Sequence, residues 1–408
     1  MTQAASGAVA ATRALEGLMR NDRGRLMAAL IARLGNFQLA EEALQDAMLS
    51  AVSHWGRNGV PAAPLGWLLQ TAYRKAIDRL RQSKSEGRKV DALRLLTAET
   101  REDDAYDIPD ERLRLIFTCC HPALEPKSQV ALTLRTICGL STHDIAAVFL
   151  DAEPTMGQRL SRARAKITAA GIPYAVPEPQ DWAERLQAVL AVIYLVFTSG
   201  YAGTAESRKN LAAEAIFLAR LLDSLRPADP EIEGCLALLL ITHARHGARE
   251  DHTGATVPLA AQDRGRWDRA LIAEGLGLLD RAMNRRLPGP YQIKAAIAAC
   301  HIGENGSDWP QIVLLYDSLL RFEPTPVVRL HRAVAIAEAG RPDTALAMIM
   351  PLQAELGAYQ PFHAAFAELL ARSGRKAEAQ AAYERAIALA TNEADIGFLK
   401  ARAQAVRE

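Results

Sequence analysis

Long apolar segments are missing from this sequence of 408 residues. Its longest uninterrupted apolar run, residues 188–197, has ten residues, about half of what a membrane-spanning helix requires. The N-terminus lacks the charged start and long apolar block of a secretion signal. Five cysteines, an odd number, are typical of reduced thiols. We therefore expect a cytoplasmic protein without a membrane segment.

Aromatic residues are also scarce, at 6% of the chain, whereas 50% of the residues are hydrophobic and 23% are charged. That balance is typical of a folded protein rather than a disordered one. The core must therefore consist mainly of alanine and aliphatic side chains. Alanine and leucine favour helices, and β-branched runs are few. The composition predicts an all-α protein, and the length predicts two to three domains.

Motifs of common enzyme classes are missing as well. The sequence has no glycine-rich phosphate loop, no His-Glu-x-x-His motif and no nucleophile elbow. Two groups of metal-binding residue types remain: Cys119–His121, and His243, His246 and His252 near Cys235. Adjacent side chains on one helix point in different directions, so a metal there would need ligands from elsewhere. We expect no metal, no other cofactor and no catalytic residue.

The net charge of +1 conceals blocks of one sign. Residues 74–89 contain seven basic residues and two acids, and residues 99–111 contain seven acids and one arginine. Residues 159–166 contain four basic residues and no acid. Two basic patches separated by an acidic segment suggest two surfaces for a polyanion, joined by a linker that avoids it. Solvated helix faces would produce the same blocks.

Helical periodicity and turn residues divide the chain into four parts. Apolar residues recur at helical spacing between Leu26 and Ala51, and residues 65–81 form a further helix. Three prolines in residues 172–179 form a stiff connector after a second helical unit. We place a first helical domain at residues 10–86, an acidic linker at 87–109, a second helical domain at 110–172 and a third at 181–408.

The last domain repeats itself. Gly306, Gly340 and Gly374 are spaced by 34 residues, and an alanine lies seven residues before each of them. A 34-residue period of helix, turn and helix is typical of tetratricopeptide repeats. Three units are recognisable, while residues 181–290 are helical but outside this register.

Residues 139–166 carry the pattern of a helix-turn-helix. Ser141–Asp144 is a capping box that begins one helix, and Pro154 lies in the first turn of the next. In that second helix an apolar stripe faces inward, while Gln158 and Arg162 face outward. Such a helix is suited to the major groove of DNA. An ordinary helical hairpin with a basic rim is the alternative interpretation.

Several segments resemble extracytoplasmic-function sigma factors. Residues 40–52 (AEEALQDAMLSAV) and 67–81 (WLLQTAYRKAIDRLR) resemble region 2 of these proteins, and residues 110–167 resemble their region 4. The resemblance covers roughly residues 10–172. Residues 117–124 (FTCCHPAL) and 191–197 (AVIYLVF) resemble the subgroup that carries a long tetratricopeptide-like C-terminal extension.

The resemblance implies a sigma factor that binds core RNA polymerase and directs it to promoter DNA, and that is not an enzyme. It places contacts to the −35 promoter element on Thr155, Gln158, Arg159, Ser161, Arg162 and Lys166. It places contacts to the −10 element on Tyr73, Arg74, Lys75, Arg79 and Arg81. It assigns polymerase docking to Glu41, Glu42, Gln45, Asp46 and Leu49. The extension would control activity by binding within the chain or to a peptide.

Two other interpretations remain open at this point. A one-component helix-turn-helix regulator with a repeat-domain sensor would need no polymerase-docking helix and would usually bind DNA as a symmetric dimer. A metal-dependent enzyme in the C-terminal half would contain stoichiometric metal after purification. Two separated DNA-binding units favour the sigma factor.

Overall fold

The computed structural model describes residues 3–82, 111–149, 151–202, 205–251, 256–303, 306–390 and 393–407. In these ranges the chain is helical, and its β-structure is limited to one isolated bridge between Glu250 and Thr256. The prediction of an all-α fold is therefore confirmed. No helix of the described chain is long and apolar enough to cross a membrane. The predicted acidic linker at 87–109 lies outside the described residues.

The helices form two compact units, residues 1–196 and residues 197–408. The first unit begins with the helices α1 Gln3–Asn21, α2 Arg23–Leu34, α3 Phe37–Asn58 and α4 Pro64–Gln82. Gly35 ends α2 with a positive φ of 63°, and the Asn36 side chain accepts a hydrogen bond from the N–H of Leu39 to begin α3.

The predicted apolar periodicity of α3 is confirmed. Its fully buried face consists of Ala40, Ala43, Leu44, Ala47 and Ala51. Because these side chains are mostly small, α1 and α4 pack closely against α3.

A second group of helices follows in the same unit: α5 Arg112–Cys119, α6 Pro126–Thr133, a π-helical turn Leu134–Cys138, α7 Thr142–Phe149 and α8 Glu153–Ala169. The predicted capping box begins α7, because the Ser141 hydroxyl accepts from the N–H of Asp144 at 3.0 Å and the Asp144 carboxylate accepts from the N–H of Ser141 at 3.2 Å. The inward stripe of α8 is buried against α6 and α7 and consists of Met156, Leu160, Ala163 and Ile167.

The connector that follows α8 stays with the first unit. The Tyr174 hydroxyl donates a hydrogen bond to the carbonyl of Ala28 at 2.9 Å, and Arg185 donates to the carbonyl of Phe117 at 2.8 Å. The ring of Trp182, at the start of α9 (Trp182–Ala202), packs on Phe117 with 5.2 Å between centroids. The first unit therefore extends past the proline connector to residue 196.

The second unit is built around one buried helix. It contains α10 Ala205–Leu225, α11 Pro230–His243, α12 Arg269–Asn284 and α13 Pro290–Cys300. Every residue of α11 from Ile232 to Ile241 is buried, because α10, α12 and α13 all pack against it. Between α11 and α12 the described chain forms short 3-10 turns and the bridge between Glu250 and Thr256, which agrees with the absence of a repeat register in this part.

Helical hairpins complete the second unit: α14 Trp309–Leu319, α15 Pro326–Glu338, α16 Pro342–Ile349, α17 Gln353–Leu356, α18 Gln360–Arg372, α19 Lys376–Leu389 and α20 Glu393–Arg407. The starts of α15 and α18 are 34 residues apart, as are those of α16 and α19. Two ion pairs, Glu338–Arg372 and Glu368–Arg402, each join residues that are 34 positions apart. Gly340 and Gly374 make the tight turns with positive φ values of 90° and 73°. The structure thus shows the 34-residue spacing that the glycines predict.

Replacing Gly340 by alanine should destabilise the second unit, because a Cβ atom disfavours the left-handed backbone at this turn. We expect the free energy of unfolding to fall by about 1–2 kcal/mol, measured by urea denaturation followed by circular dichroism. Gly277→Ala is the matched control, since Gly277 lies inside α12 and an added Cβ would meet only an arginine nitrogen at 3.8 Å. Equal losses for both variants would contradict this assignment of the turn.

Candidate nucleic-acid interface

One face of α8 is polar and open to solvent. The apolar stripe lies on the opposite face, so the helix separates its two kinds of side chain cleanly. Gln158 and Arg162 are one helical turn apart and project from the same side. The exposed set consists of Thr155, Gln158, Ser161, Arg162 and Lys166. The structure therefore brings five of the six residues predicted for the −35 element onto one surface.

A groove of about 260 Å³ runs along this face. Its lining residues are Leu124, Glu125, Ser128, Thr155, Gln158, Arg159, Arg162, Ala163 and Lys166. Three of these side chains are basic and one is acidic, so the groove attracts anions such as phosphate groups. The hydroxyl of Thr155 and the amide of Gln158 add hydrogen-bonding groups that suit phosphates and base edges.

Arg159 differs from the other predicted −35 residues because its guanidinium group is already paired. It lies 3.1 Å from the carboxylate of Glu125 and 3.4 Å from that of Asp151. Only 21% of its side chain is exposed. In this structure Arg159 forms part of the groove wall and orients two acidic side chains, while Arg162 and Lys166 remain open to solvent.

The basic residues predicted for the −10 element lie on α4 in different environments. Arg74 and Arg81 are exposed, and Lys75 is half-buried. Arg79 is paired with two carboxylates of α3: the distances are 2.7 Å to Glu42 and 2.8 Å to Asp46. One predicted DNA contact is therefore bound to two predicted docking residues when the chain is alone.

Tyr73 does not share the surface of Arg74 and Arg81. Its ring is 7% exposed, and the Arg33 guanidinium of α2 lies 5.8 Å from the ring centroid. Burial raises the pKa of the Tyr73 hydroxyl. Successive residues of a helix point about 100° apart around its axis, so Tyr73 turns inward where Arg74 turns outward. The structure thus places this predicted −10 residue in the core.

A second exposed surface lies on α3. Glu42, Gln45, Asp46 and Leu49 follow one another at intervals of three, one and three residues, and together they form one continuous face. Leu49 is 69% exposed, and Val52, one turn further, is 39% exposed. Exposed aliphatic side chains beside carboxylates suit a protein partner with apolar and basic groups.

Glu41, the fifth residue predicted for that face, lies in the interior instead. Its side chain is only 8% exposed, because it points toward α2 and α8 rather than to solvent. The Glu41 carboxylate accepts a hydrogen bond from Arg164 at 2.5 Å, pairs with Arg135 and lies 3.6 Å from Arg23. The sequence gives no sign of this cluster, since Arg164 follows Glu41 by 123 residues.

The cluster is crowded with positive charge. One carboxylate faces three guanidinium groups whose side chains are 11–18% exposed. Burial lowers the pKa of Arg23, and the neighbouring Arg135 and Arg164 act in the same direction, while Glu41 opposes them. The Nε atoms of Arg23 and Arg164 are buried without a hydrogen-bond partner in the described chain. The four side chains are therefore held close together but are only partly satisfied.

The cysteines considered as metal ligands are buried. Burial raises the thiol pKa values of Cys119 and Cys120, the latter to about 12. The sulfur of Cys120 lies 3.5 Å from the hydroxyl of Thr133. Within the described ranges, no three His, Cys, Asp or Glu side chains come together as a metal-binding group. His252 lies outside those ranges.

The surfaces of α3, α4 and α8 fall within two known domain types. Residues 18–86 match the family described as Sigma-70 region 2, and residues 114–167 match Sigma-70, region 4. The first match contains α3 and α4, and the second contains almost all of α8. The presence of both regions in one chain supports an RNA polymerase sigma factor, the class of protein that initiates transcription at promoters.

Further similarity extends into the C-terminal part. Residues 185–283 match a family of unknown function (DUF6596). An uncharacterized protein of Rhizobium meliloti (strain 1021) is 44% identical over 390 residues, which covers 93% of this chain and 92% of that protein. The chain belongs to the same family as this relative. The similarity therefore includes most of the C-terminal helical unit.

Glu41→Gln should destabilise the first unit strongly, because three partly buried guanidinium groups would lose their shared carboxylate. We expect a loss of about 3 kcal/mol in the free energy of unfolding, measured by urea denaturation. Glu42→Gln is the matched control, since Glu42 is 36% exposed in its pair with Arg79, and it should lose less than about 1 kcal/mol. Equal losses would show that the buried cluster is not a stabilising contact.

Proposed function

We propose that this chain acts as an extracytoplasmic-function sigma factor: it binds core RNA polymerase and directs it to promoters through regions 2 and 4. The observation that carries the proposal is the exposed polar face of α8, which combines amide, hydroxyl and basic side chains within region 4. The apolar side of this helix packs on α6 and α7, and Arg164 pairs with Glu41 of α3, so the face that carries Gln158 and Arg162 is available to DNA.

In this proposal α8 reads the −35 element in the major groove. Arg162 has the donor geometry for a guanine edge, and Gln158 has the donor and acceptor pair for an adenine edge. Thr155, Ser161 and Lys166, at the margins of the same face, contact phosphates and set the register of the helix. Arg159 supports the groove through its two carboxylate partners.

The −10 element is assigned to the basic surface of α4. Arg74 and Arg81 are exposed, and Lys75 lies beside them, so the surface presents several cations to a phosphate backbone. Arg79 joins this surface once its pairs with Glu42 and Asp46 are released. Lys84, Arg88 and Lys89 continue the basic block but lie outside the described residues.

Core polymerase docking is assigned to the exposed face of α3. Its four accessible members are Glu42, Gln45, Asp46 and Leu49, and the exposed Val52 extends it. The carboxylates suit a basic partner surface, and the two aliphatic side chains supply the apolar centre that protein interfaces require.

We also assign a regulatory role to the C-terminal unit, as a tetratricopeptide-like extension. Its last hairpins stack with a regular 34-residue spacing, and stacked helical hairpins form concave surfaces that bind peptide segments. Its partner in this proposal is either a segment of the same chain or a separate peptide.

Transcription by purified components tests the proposed function directly. Core polymerase alone, and core polymerase with the full chain, are given a library of genomic fragments, and the transcript starts are mapped. We expect discrete starts that require the chain and share a −10 and a −35 sequence. A chain that binds DNA specifically without polymerase, and that neither binds core polymerase nor yields new starts, would instead be a one-component helix-turn-helix regulator.

Gln158→Ala and Arg162→Ala should weaken promoter recognition without weakening polymerase binding, because both side chains are exposed and neither supports the core. Loss of one base contact corresponds to about 1–3 kcal/mol, or roughly a fivefold to 150-fold drop in promoter binding by the holoenzyme. Filter binding to matched and −35-mutated promoters measures the effect. If the variants still discriminate between these promoters as the native chain does, the assignment of α8 is wrong.

Removal of the second unit should reduce promoter-dependent transcription at least tenfold while leaving polymerase binding intact. The truncation ends at residue 196, where the first compact unit ends, and thereby keeps the packing of Trp182 and Arg185 on Phe117. Circular dichroism and a core-binding titration verify that the shortened chain is folded. Equal transcription by the full and truncated chains would leave the extension without a regulatory role.

A further inference from the structure

The groove beside α8 has a second wall, which is supplied by the start of α6. Leu124, Glu125 and Ser128 line the groove from this side, and polar side chains of α8 line it from the other. Glu125 is the acidic member of the lining, and 60% of its side chain is exposed. A carboxylate repels DNA phosphates, so Glu125 is unsuited to a contact with the DNA backbone.

Glu125 occupies the N-cap position of α6, but its side chain makes no capping hydrogen bond. Serine, threonine, aspartate and asparagine are the usual N-cap residues, because their short side chains reach the N–H groups of the first turn. The longer side chain of Glu125 extends toward α8 instead, where Arg159 donates to its Oε2 atom at 3.1 Å. The position of this carboxylate therefore shapes the groove and does not serve the start of α6.

Arg159 fixes the direction of the Glu125 carboxylate. The second terminal nitrogen of the same guanidinium group donates to Asp151 at 3.4 Å, so both ends of this rigid plane are engaged. Asp151 already supplies an opposite charge to Arg159, and Glu125 is therefore not required to neutralise it. Because Arg159 holds Oε2 and most of the Glu125 side chain is exposed, the carboxylate is oriented and still accessible from the groove.

The base edges of the major groove differ in how they suit a carboxylate. Guanine and thymine present acceptor atoms, which repel it, and adenine presents the acceptor N7 beside its amino group. Cytosine presents the amino group N4 as a donor, and glutamate accepts hydrogen bonds from it. We propose that Glu125 reads a cytosine of the −35 element, in addition to the bases assigned to Gln158 and Arg162. This inference rests on the proposed sigma function. Arg159 is then a positioning residue that acts through Glu125.

Replacing Glu125 by alanine should remove the sequence requirement at one base pair of the −35 element. Binding of core polymerase with the full chain is measured on a promoter whose −35 base pairs are changed one at a time. For the native chain we expect one C·G pair at which a change to T·A weakens binding at least about fivefold, since thymine presents an acceptor in place of the amino donor. With Glu125→Ala both sequences should bind equally, while the preferences at the other positions remain.

Glu153→Ala is the matched control. It removes an exposed carboxylate from the first turn of α8 that does not line the groove. Loss of a negative charge favours all DNA sequences alike, so this variant should keep the preference for C·G. Circular dichroism and a core-binding titration verify that both variants are folded.

Arg159→Lys tests the positioning role, because lysine keeps the charge but lacks the planar fork that holds two carboxylates. We expect it to reduce the preference for C·G at the same base pair, and to have no such effect in a chain that already carries Glu125→Ala. A full preference in Arg159→Lys would contradict the positioning role. A preference for C·G that persists in Glu125→Ala, or that is missing in the native chain, would overturn the inference. A native chain that gives core polymerase no promoter preference at all contradicts the proposed sigma function instead.

Discussion

A single buried carboxylate sets the arrangement of the first unit. The Glu41 carboxylate pairs with one arginine each from α2, from the π-helical turn and from α8. These three ion pairs join region 4 to region 2. A lone carboxylate in such a place would be costly, and so would three unpaired guanidinium groups. The carboxylate and the three guanidinium groups therefore stabilise one another in these positions. The orientation of α8 follows, with its apolar stripe inward, Arg164 toward α3 and its polar face outward.

The same charges connect the proposed docking and DNA-binding surfaces. Arg79 of α4 binds Glu42 and Asp46 of α3, so one basic side chain of the proposed DNA surface and two acidic side chains of the proposed docking surface neutralise one another. These pairs are exposed and contribute little to stability. In the proposed complex a basic polymerase surface replaces Arg79 beside the two carboxylates. DNA phosphates then replace the carboxylates beside Arg79.

The sequence predicts what depends on local pattern. The buried face of α3, the Ser141–Asp144 capping box and the hairpins at 34-residue spacing all follow from helical periodicity, side-chain caps and glycine turns. Local sequence patterns do not predict which distant segments contact each other in the folded chain. Glu41 and Tyr73 look like members of exposed faces, and only the packing of α2 against α3 and α4 shows that they lie inside.

The central claim is that the exposed polar face of α8 reads promoter DNA when the chain is bound to core polymerase. The most direct measurement is hydroxyl-radical footprinting of a promoter bound by core polymerase with the native chain or with Gln158→Ala, since Gln158 is exposed on that face. We predict that the native chain protects the −35 element and that the variant loses this protection while the −10 element stays protected. Protection of the −35 element that is the same with the native chain and the variant would contradict the account.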